Sequence, residues 1–206
     1  MTINHEKKLI FIHIPKNAGT SIIKAMGFEN ICTGVENLYM DKSIEKYKEH
    51  YQDYWNDYTK FTSIREPIDR FISAYKFARM KESGWFSGIG KEKHQHYELC
   101  NKMDINEYTS YLYKNPKEFN RWIAPQTCII SNENNEIEID YFVRFENLKE
   151  DLNKIGIESI EKLNSSKIED DRAIQLTKKS KMKLYEIYDI DYKNFNYKKE
   201  LIFNYS

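Results

Sequence analysis

The chain has 206 residues, with 32 Lys and Arg balancing 32 Asp and Glu. A net charge of zero offers no global attraction for nucleic acid or an anionic membrane, so any anion selectivity must come from local placement. The length suits one domain, 1–206, burying roughly 70% of its unfolded surface.

No N-terminal apolar signal segment and no membrane-length apolar run interrupts the sequence. Cys32, Cys100 and Cys128 are odd in number and lack metal-ligand spacing. They read as free thiols in a reducing, cytoplasmic compartment.

In chain order, Leu9 to Ile14 is a short β-branched and aromatic run, a buried strand that Pro15 ends. Gly19 permits a sharp turn, and Thr20 and Ser21 are expected to cap a helix continued by Ile22, Ile23 and Ala25. Gly27 to Asp41 reads as loop, Ser43 to Trp55 as helix and Lys60 to Ile64 as a second strand. A helix follows from Pro67, with Ile68, Phe71, Ile72 and Tyr75 on one face. Ser83 to His96 carries three glycines and reads as surface loop. Asp104 and Glu107 form a capping box for a helix through Asn115.

Thr127 to Ile130 and Ile139 to Phe145 read as further strands around the polar turn SNENNE. Glu146 to Ile155 and Arg172 to Tyr188 read as helices, the second with Leu176, Leu184 and Ile187 inward. Strands alternating with helices imply an α/β fold with a central, mostly parallel sheet flanked by helices. Ligands of such sheets bind at the carboxyl ends of the strands, so the first two strand–helix turns should share a crevice.

Both turns carry cations. The first, LIFIHIPKNAGTS, brings Lys16 and the loop amides to a helix start, a setting for phosphate or sulfate. Lys16 sits four residues before Thr20, so the loop is not of the Walker type. The second carries Arg65 at a strand end, where a guanidinium can grip a phosphate bidentately. Ser73 follows eight residues later and faces the same side only if the helix begins beyond Arg65. Arg70, one turn into the helix, is expected to pair with Glu66 or Asp69. His13, on the strand face of Leu9 and Phe11, reads as a packed core histidine.

Two anion sites at adjacent strand ends call for a nucleotide with two separated phosphates. Here the sequence resembles the sulfotransferases that use 3′-phosphoadenosine 5′-phosphosulfate (PAPS), in particular the carbohydrate branch and its bacterial relatives. FIHIPKNAGTS resembles that family's 5′-phosphosulfate loop, and SIREPIDRFISAY its 3′-phosphate motif. FVRFENLKEDL, LNSSK and YDIDYKNFNY extend the likeness over nearly the whole chain.

The resemblance implies a P-loop-like sulfotransferase fold and a sulfonate acceptor hydroxyl, most plausibly on a carbohydrate, with PAPS as co-substrate and no metal. It also implies that Lys16 contacts the bridging oxygen and the sulfonate. Amides from Asn17, Ala18, Gly19, Thr20 and Ser21, with the last two hydroxyls, would hold the 5′ phosphate. Arg65 and Ser73 would hold the 3′ phosphate.

The general base departs from the pattern. Met40 stands near the place where the family often has histidine. His50, fifteen residues before Arg65, is the expected base, with His94 and His96 as alternatives that would reach in from a lid. Two other readings remain at the level of sequence: a kinase-like phosphotransferase, and a nucleotide-binding relative that no longer catalyses.

Overall fold

The computed structural model describes residues 2–28, 44–80, 94–158 and 174–200. Met40, Cys32, the LNSSK stretch and the three glycines between Ser83 and His96 lie outside them. The sheet runs in the order β1 (Ile3–Asn4), β2 (Leu9–Ile12), β3 (Thr59–Ile64) and β4 (Tyr141–Arg144). β2, β3 and β4 are parallel, with Leu9 opposite Thr59 and Phe61 opposite Tyr141. β1 adds an antiparallel edge that the sequence reading lacks; two residues are too few for a periodic signal.

Alternation along β2 builds a core on each face of the sheet. Leu9 and Phe11 pack with Ile22, Ile23 and Met26 of the first strand–helix unit, and with Phe61, Val143 and Leu152. Ile10 and Ile12 turn the other way, toward Ile44, Tyr47, Trp55 and Ile129. Burial on both faces is what a parallel strand flanked by helices requires, and all of β2 is buried. The helices are α1 (Gly19–Ala25), α2 (Ile44–His50), α3 (Pro67–Ala78), α4 (Tyr97–Lys102), α5 (Ile105–Lys114), α6 (Thr127–Ile130), α7 (Leu148–Lys154), α8 (Lys178–Ile187) and α9 (Asp189–Asn194). A third core joins α3, α4, α5 and α8 through Phe71, Tyr75, Tyr108, Leu112 and Leu184.

Most expected elements are present, shortened at their ends. α5 has the capping box of Asp104 and Glu107. Thr177 caps α8, so Leu176 lies before that helix rather than within it. Thr127–Ile130 is one helical turn, not a strand. A four-residue apolar run has no period of its own, and here the Asp191 side chain accepts from the amides of Gln126 (2.7 Å) and Thr127 (2.8 Å), capping the turn from a distant helix.

β2 stops at Ile12, two residues early. The His13 amide goes to the Tyr47 hydroxyl at 3.3 Å and its carbonyl to the Arg121 guanidinium, so neither joins the ladder. α1 ends on Gly27 (φ 92°), whose left-handed backbone lets the Phe28 amide reach back to the Ile23 carbonyl.

Arg70 departs most from expectation. It is 1% exposed and pairs with neither Glu66 nor Asp69. Its fork donates to the carbonyls of Pro15 (3.0 Å), Ala124 (2.7 Å) and Arg121 (3.0 Å). Glu66 is instead the N-cap of α3, accepting from the Asp69 amide at 2.7 Å. Arg70 thus fastens the loop after β2 to the turn before α6. Arg70→Met would strand three buried carbonyls and should cost about 3–5 kcal/mol in urea unfolding. A loss under about 1 kcal/mol would mean that these carbonyls find other donors.

Candidate functional site

The carboxyl ends of β2 and β3 bring the two cationic turns together. The Arg65 Nη1 donates to the Lys16 carbonyl at 3.3 Å, so the two motifs meet directly. α3 begins at Pro67, beyond Arg65, as the spacing to Ser73 required. Ser73 lies half-exposed two turns along α3, on the face of Asp69 and Lys76, and no hydrogen bond links it to Arg65.

The lysine loop is held in an unusual backbone form. Lys16 (φ 72°) and Ala18 (φ 63°) are both left-handed. For residues with a Cβ this costs roughly 1–2 kcal/mol each and turns successive amides toward one side, as in an anion nest. Ala18 is the N-cap of α1 with no side-chain cap. Thr20 and Ser21 therefore do not cap the helix; they lie within its first turn. Gly19 is needed for space: a Cβ there would stand 2.0 Å from His13 Nε2. The histidine ring is thus packed, as expected, but directly against the loop.

Asn17 is fully buried and faces inward. Its Nδ2 donates to the Ser63 carbonyl and to Gln126 Oε1, each at 2.7 Å, while Ser63 Oγ donates to its carbonyl at 2.6 Å. Its Oδ1 is buried with no hydrogen-bond partner among the described residues, and its backbone amide is the donor left for an anion.

Neither cation forms a salt bridge among the described residues; burial lowers the Arg65 pKa, and the charges of Asp69, Glu146 and Glu66 raise it in part. The Lys16 ammonium lies 4.0 Å above the Phe77 ring, and among the described residues it has no carboxylate partner. Burial, then the charges of Arg65 and Arg70, lower its pKa from 10.5 to about 8. The Arg65 guanidinium stacks on Phe145 at 4.1 Å, and its Nε is buried with no hydrogen-bond partner among the described residues. The nearby acids make their hydrogen bonds elsewhere, Glu146 accepting from the Glu66 amide (2.8 Å) and the Tyr197 hydroxyl (2.9 Å), and Glu66 from Tyr192, so they act on Arg65 through their charge and not by direct contact. With Nη1 on the Lys16 carbonyl, the Nε edge is left for a bidentate anion. These residues fit a phosphate group.

The histidines divide. His50 is exposed at the end of α2, its ring edge-on to Tyr51 at 4.6 Å and outside the contacts of Lys16. His94 and His96 are buried rather than carried on a surface loop. His94 lies edge-on to Phe77 and Trp122, which stack on each other at 4.9 Å beside Lys16. Burial, His96 and Lys16 lower its pKa to about 4. The His96 amide donates to its Nδ1 at 3.0 Å, so neutral His94 carries its proton on Nε2. That tautomer is a donor, and its one basic nitrogen is taken. Burial, Arg121, Lys16 and Arg70 likewise lower His13 to about 3.

Gln126, Arg121, Phe77, Trp122 and Asp191 escaped the sequence reading as site residues. Asp191 lay within the quoted YDIDYKNFNY stretch; the others carry no local signal.

A lysine charged against a lowered folded pKa costs stability below pH 8, and the cost fades as pH rises toward the unfolded value of 10.5. Lys16→Met should therefore stabilise the ligand-free protein at pH 7, by on the order of 3 kcal/mol, and the gain should shrink between pH 8 and 10.5 in denaturant titrations. Ala18→Gly should add about 1 kcal/mol at every pH by relieving the left-handed Cβ.

A family model described as the sulfotransferase family matches residues 1–198. No curated protein and no solved structure matches the chain. The match spans both cationic turns, the sheet that carries them and the α9 acid that braces them. The chain belongs to the sulfotransferase family and is a transferase of sulfonate groups.

Proposed function

We propose that this protein transfers the sulfonate of PAPS to a hydroxyl of an acceptor, most plausibly a carbohydrate. The observation that carries the reading is the pair Lys16 and Arg65, joined at the ends of adjacent parallel strands and lacking carboxylate partners among the described residues. Two cations on separate loops, neither in a salt bridge among the described residues, suit a donor with two anionic groups.

In this reading the amides of residues 17–21 and the hydroxyls of Thr20 and Ser21 hold the 5′ phosphate, and Arg65 with Ser73 holds the 3′ phosphate. The acceptor oxygen attacks sulfur in line with the bridging oxygen. An O–S bond forms to the acceptor, the S–O bond to the 5′ phosphate breaks, and the hydroxyl proton leaves. The products are a sulfate ester and 3′,5′-bisphosphoadenosine. Charge grows on the bridging oxygen, where the Lys16 ammonium stabilises it. His50 is proposed as the base and would act from the exposed end of α2; His50→Ala tests this, since a proton-transfer role predicts a fall of roughly 10²–10⁴.

Lys16→Ala should lower kcat on the order of 10²–10³-fold while nucleotide affinity falls much less. An effect confined to KM would make the lysine a uniform binding group and remove the mechanism's main support. Arg65→Ala should weaken 3′,5′-bisphosphoadenosine by about 1.5–3 kcal/mol and scarcely alter adenosine 5′-monophosphate. A phosphate beside Lys16 must also raise its lowered pKa, so nucleotide binding near pH 8.5 should take up protons, read by calorimetry in buffers of different ionisation heat. Thermal stabilisation by ATP with Mg²⁺ in place of the bisphosphate would favour a phosphotransferase.

A further inference from the structure

One side chain joins the two cationic loops. Gln126, at the start of α6, is fully buried. Its Oε1 accepts from the Arg65 amide at 3.0 Å and from Asn17 Nδ2 at 2.7 Å. Its Nε2 donates to the Arg65 carbonyl at 2.8 Å and to Asp191 Oδ2 at 3.4 Å. A side-chain amide has two acceptor sites and two donor hydrogens, and here all four are used.

Toward Arg65 the amide acts as a neighbouring strand would, pairing both backbone groups of the residue just past the end of β3. Toward Asn17 it grips the residue that follows Lys16, whose carbonyl Ser63 holds from the other side. Asp191 fixes Gln126 in turn by accepting from its backbone amide at 2.7 Å. A buried amide saturated in this way has one geometry, and that geometry sets the distance between the loops.

Resting on the sulfotransferase reading, we propose that Gln126 is a positioning residue that makes the two anion sites a rigid pair and thereby selects nucleotides bearing two phosphates. In a rigid pair the second phosphate binds without the cost of ordering its loop. Each loop alone keeps its own cation and amides. Loss of Gln126 should therefore damage the advantage of two phosphates over one more than it damages binding of either one.

The test is calorimetric titration of the wild type and Gln126→Met with 3′,5′-bisphosphoadenosine, adenosine 5′-monophosphate and adenosine 3′-monophosphate. The variant is expected to lose about tenfold or more of the preference for the bisphosphate, while each monophosphate changes by less than about threefold. A general structural defect would lower all three alike and would overturn the proposal, as would a preference that persists in the folded variant. Asn17→Ala cuts the arm from Gln126 to the lysine loop, together with the Asn17 bond to the Ser63 carbonyl, and leaves the Gln126 grip on Arg65; it carries the same expectation, so the question stays decidable if Gln126→Met does not fold. A wild type with no preference for the bisphosphate would overturn the donor reading and this proposal with it; a preference kept by both variants would overturn this proposal alone.

Discussion

The structure depends on holding three like charges, Lys16, Arg65 and Arg70, around one loop with no direct ion pair among the described residues. Lys16, Arg65 and Arg70 are close enough that each arginine lowers the lysine's pKa, and Arg121 reaches the His13 carbonyl on the same turn. Like charges gathered in a partly buried region repel more strongly than they would in water, and this repulsion adds to the larger cost of burying the lysine. A cheaper protein would set a carboxylate beside each cation. Here the direct contacts of two of them are carbonyls, Pro15, Ala124 and Arg121 for Arg70 and Lys16 for Arg65, while Asp191 acts on Arg70, and Asp69, Glu146 and Glu66 on Arg65, through their charge alone. Carbonyls hold the arginines in place without a direct ion pair, which leaves the Lys16 ammonium and the Nε edge of Arg65 open to an anion.

Asp191 shows how far this goes. It is a fully buried acid in the same region, yet its oxygens accept from the amides of Gln126 and Thr127 rather than from a guanidinium. Burial raises its pKa, and those amide bonds hold it down in part. The acid thus serves as a brace for the turn that carries Gln126. Strain in the lysine loop belongs to the same design. Two left-handed residues persist because Ser63, Gln126 and Arg70 fix the chain on either side of them.

The sheet and the two cationic turns were legible because each rests on local signals: β-branched runs, Pro15, Pro67 and a lysine or arginine at a strand end. What escaped was decided by distant partners. Thr127 to Ile130 has strand-forming residues but is wound into a turn by an acid 64 residues away. Arg70 stands one turn after Glu66 and next to Asp69 in sequence and pairs with neither, because three carbonyls from other segments take its donors. Gln126 sits between Pro125 and Thr127 with no pattern to mark it. Buried polar networks join residues far apart in sequence, and a single sequence carries no trace of such pairings.

The same electrostatics bears on the acceptor's proton. A cation-rich pocket keeps imidazoles neutral but makes them poor bases: His13 falls to about 3 and His94 to about 4, with His94 Nδ1 already held by an amide. A strong base beside Lys16 would also need to lie close to the ammonium, and an acid there would neutralise it. The two demands conflict, and the lysine's environment favours the leaving group. If sulfuryl transfer has a loose transition state, as phosphoryl transfer does, most developing charge lies on the departing oxygen and the hydroxyl loses its proton late. Under that regime a fixed ammonium over the bridging oxygen matters more than a basic side chain at the acceptor. In the proposed mechanism Lys16 therefore serves the donor side, and the acceptor's proton falls to a group outside this cation-rich region, the role proposed for His50.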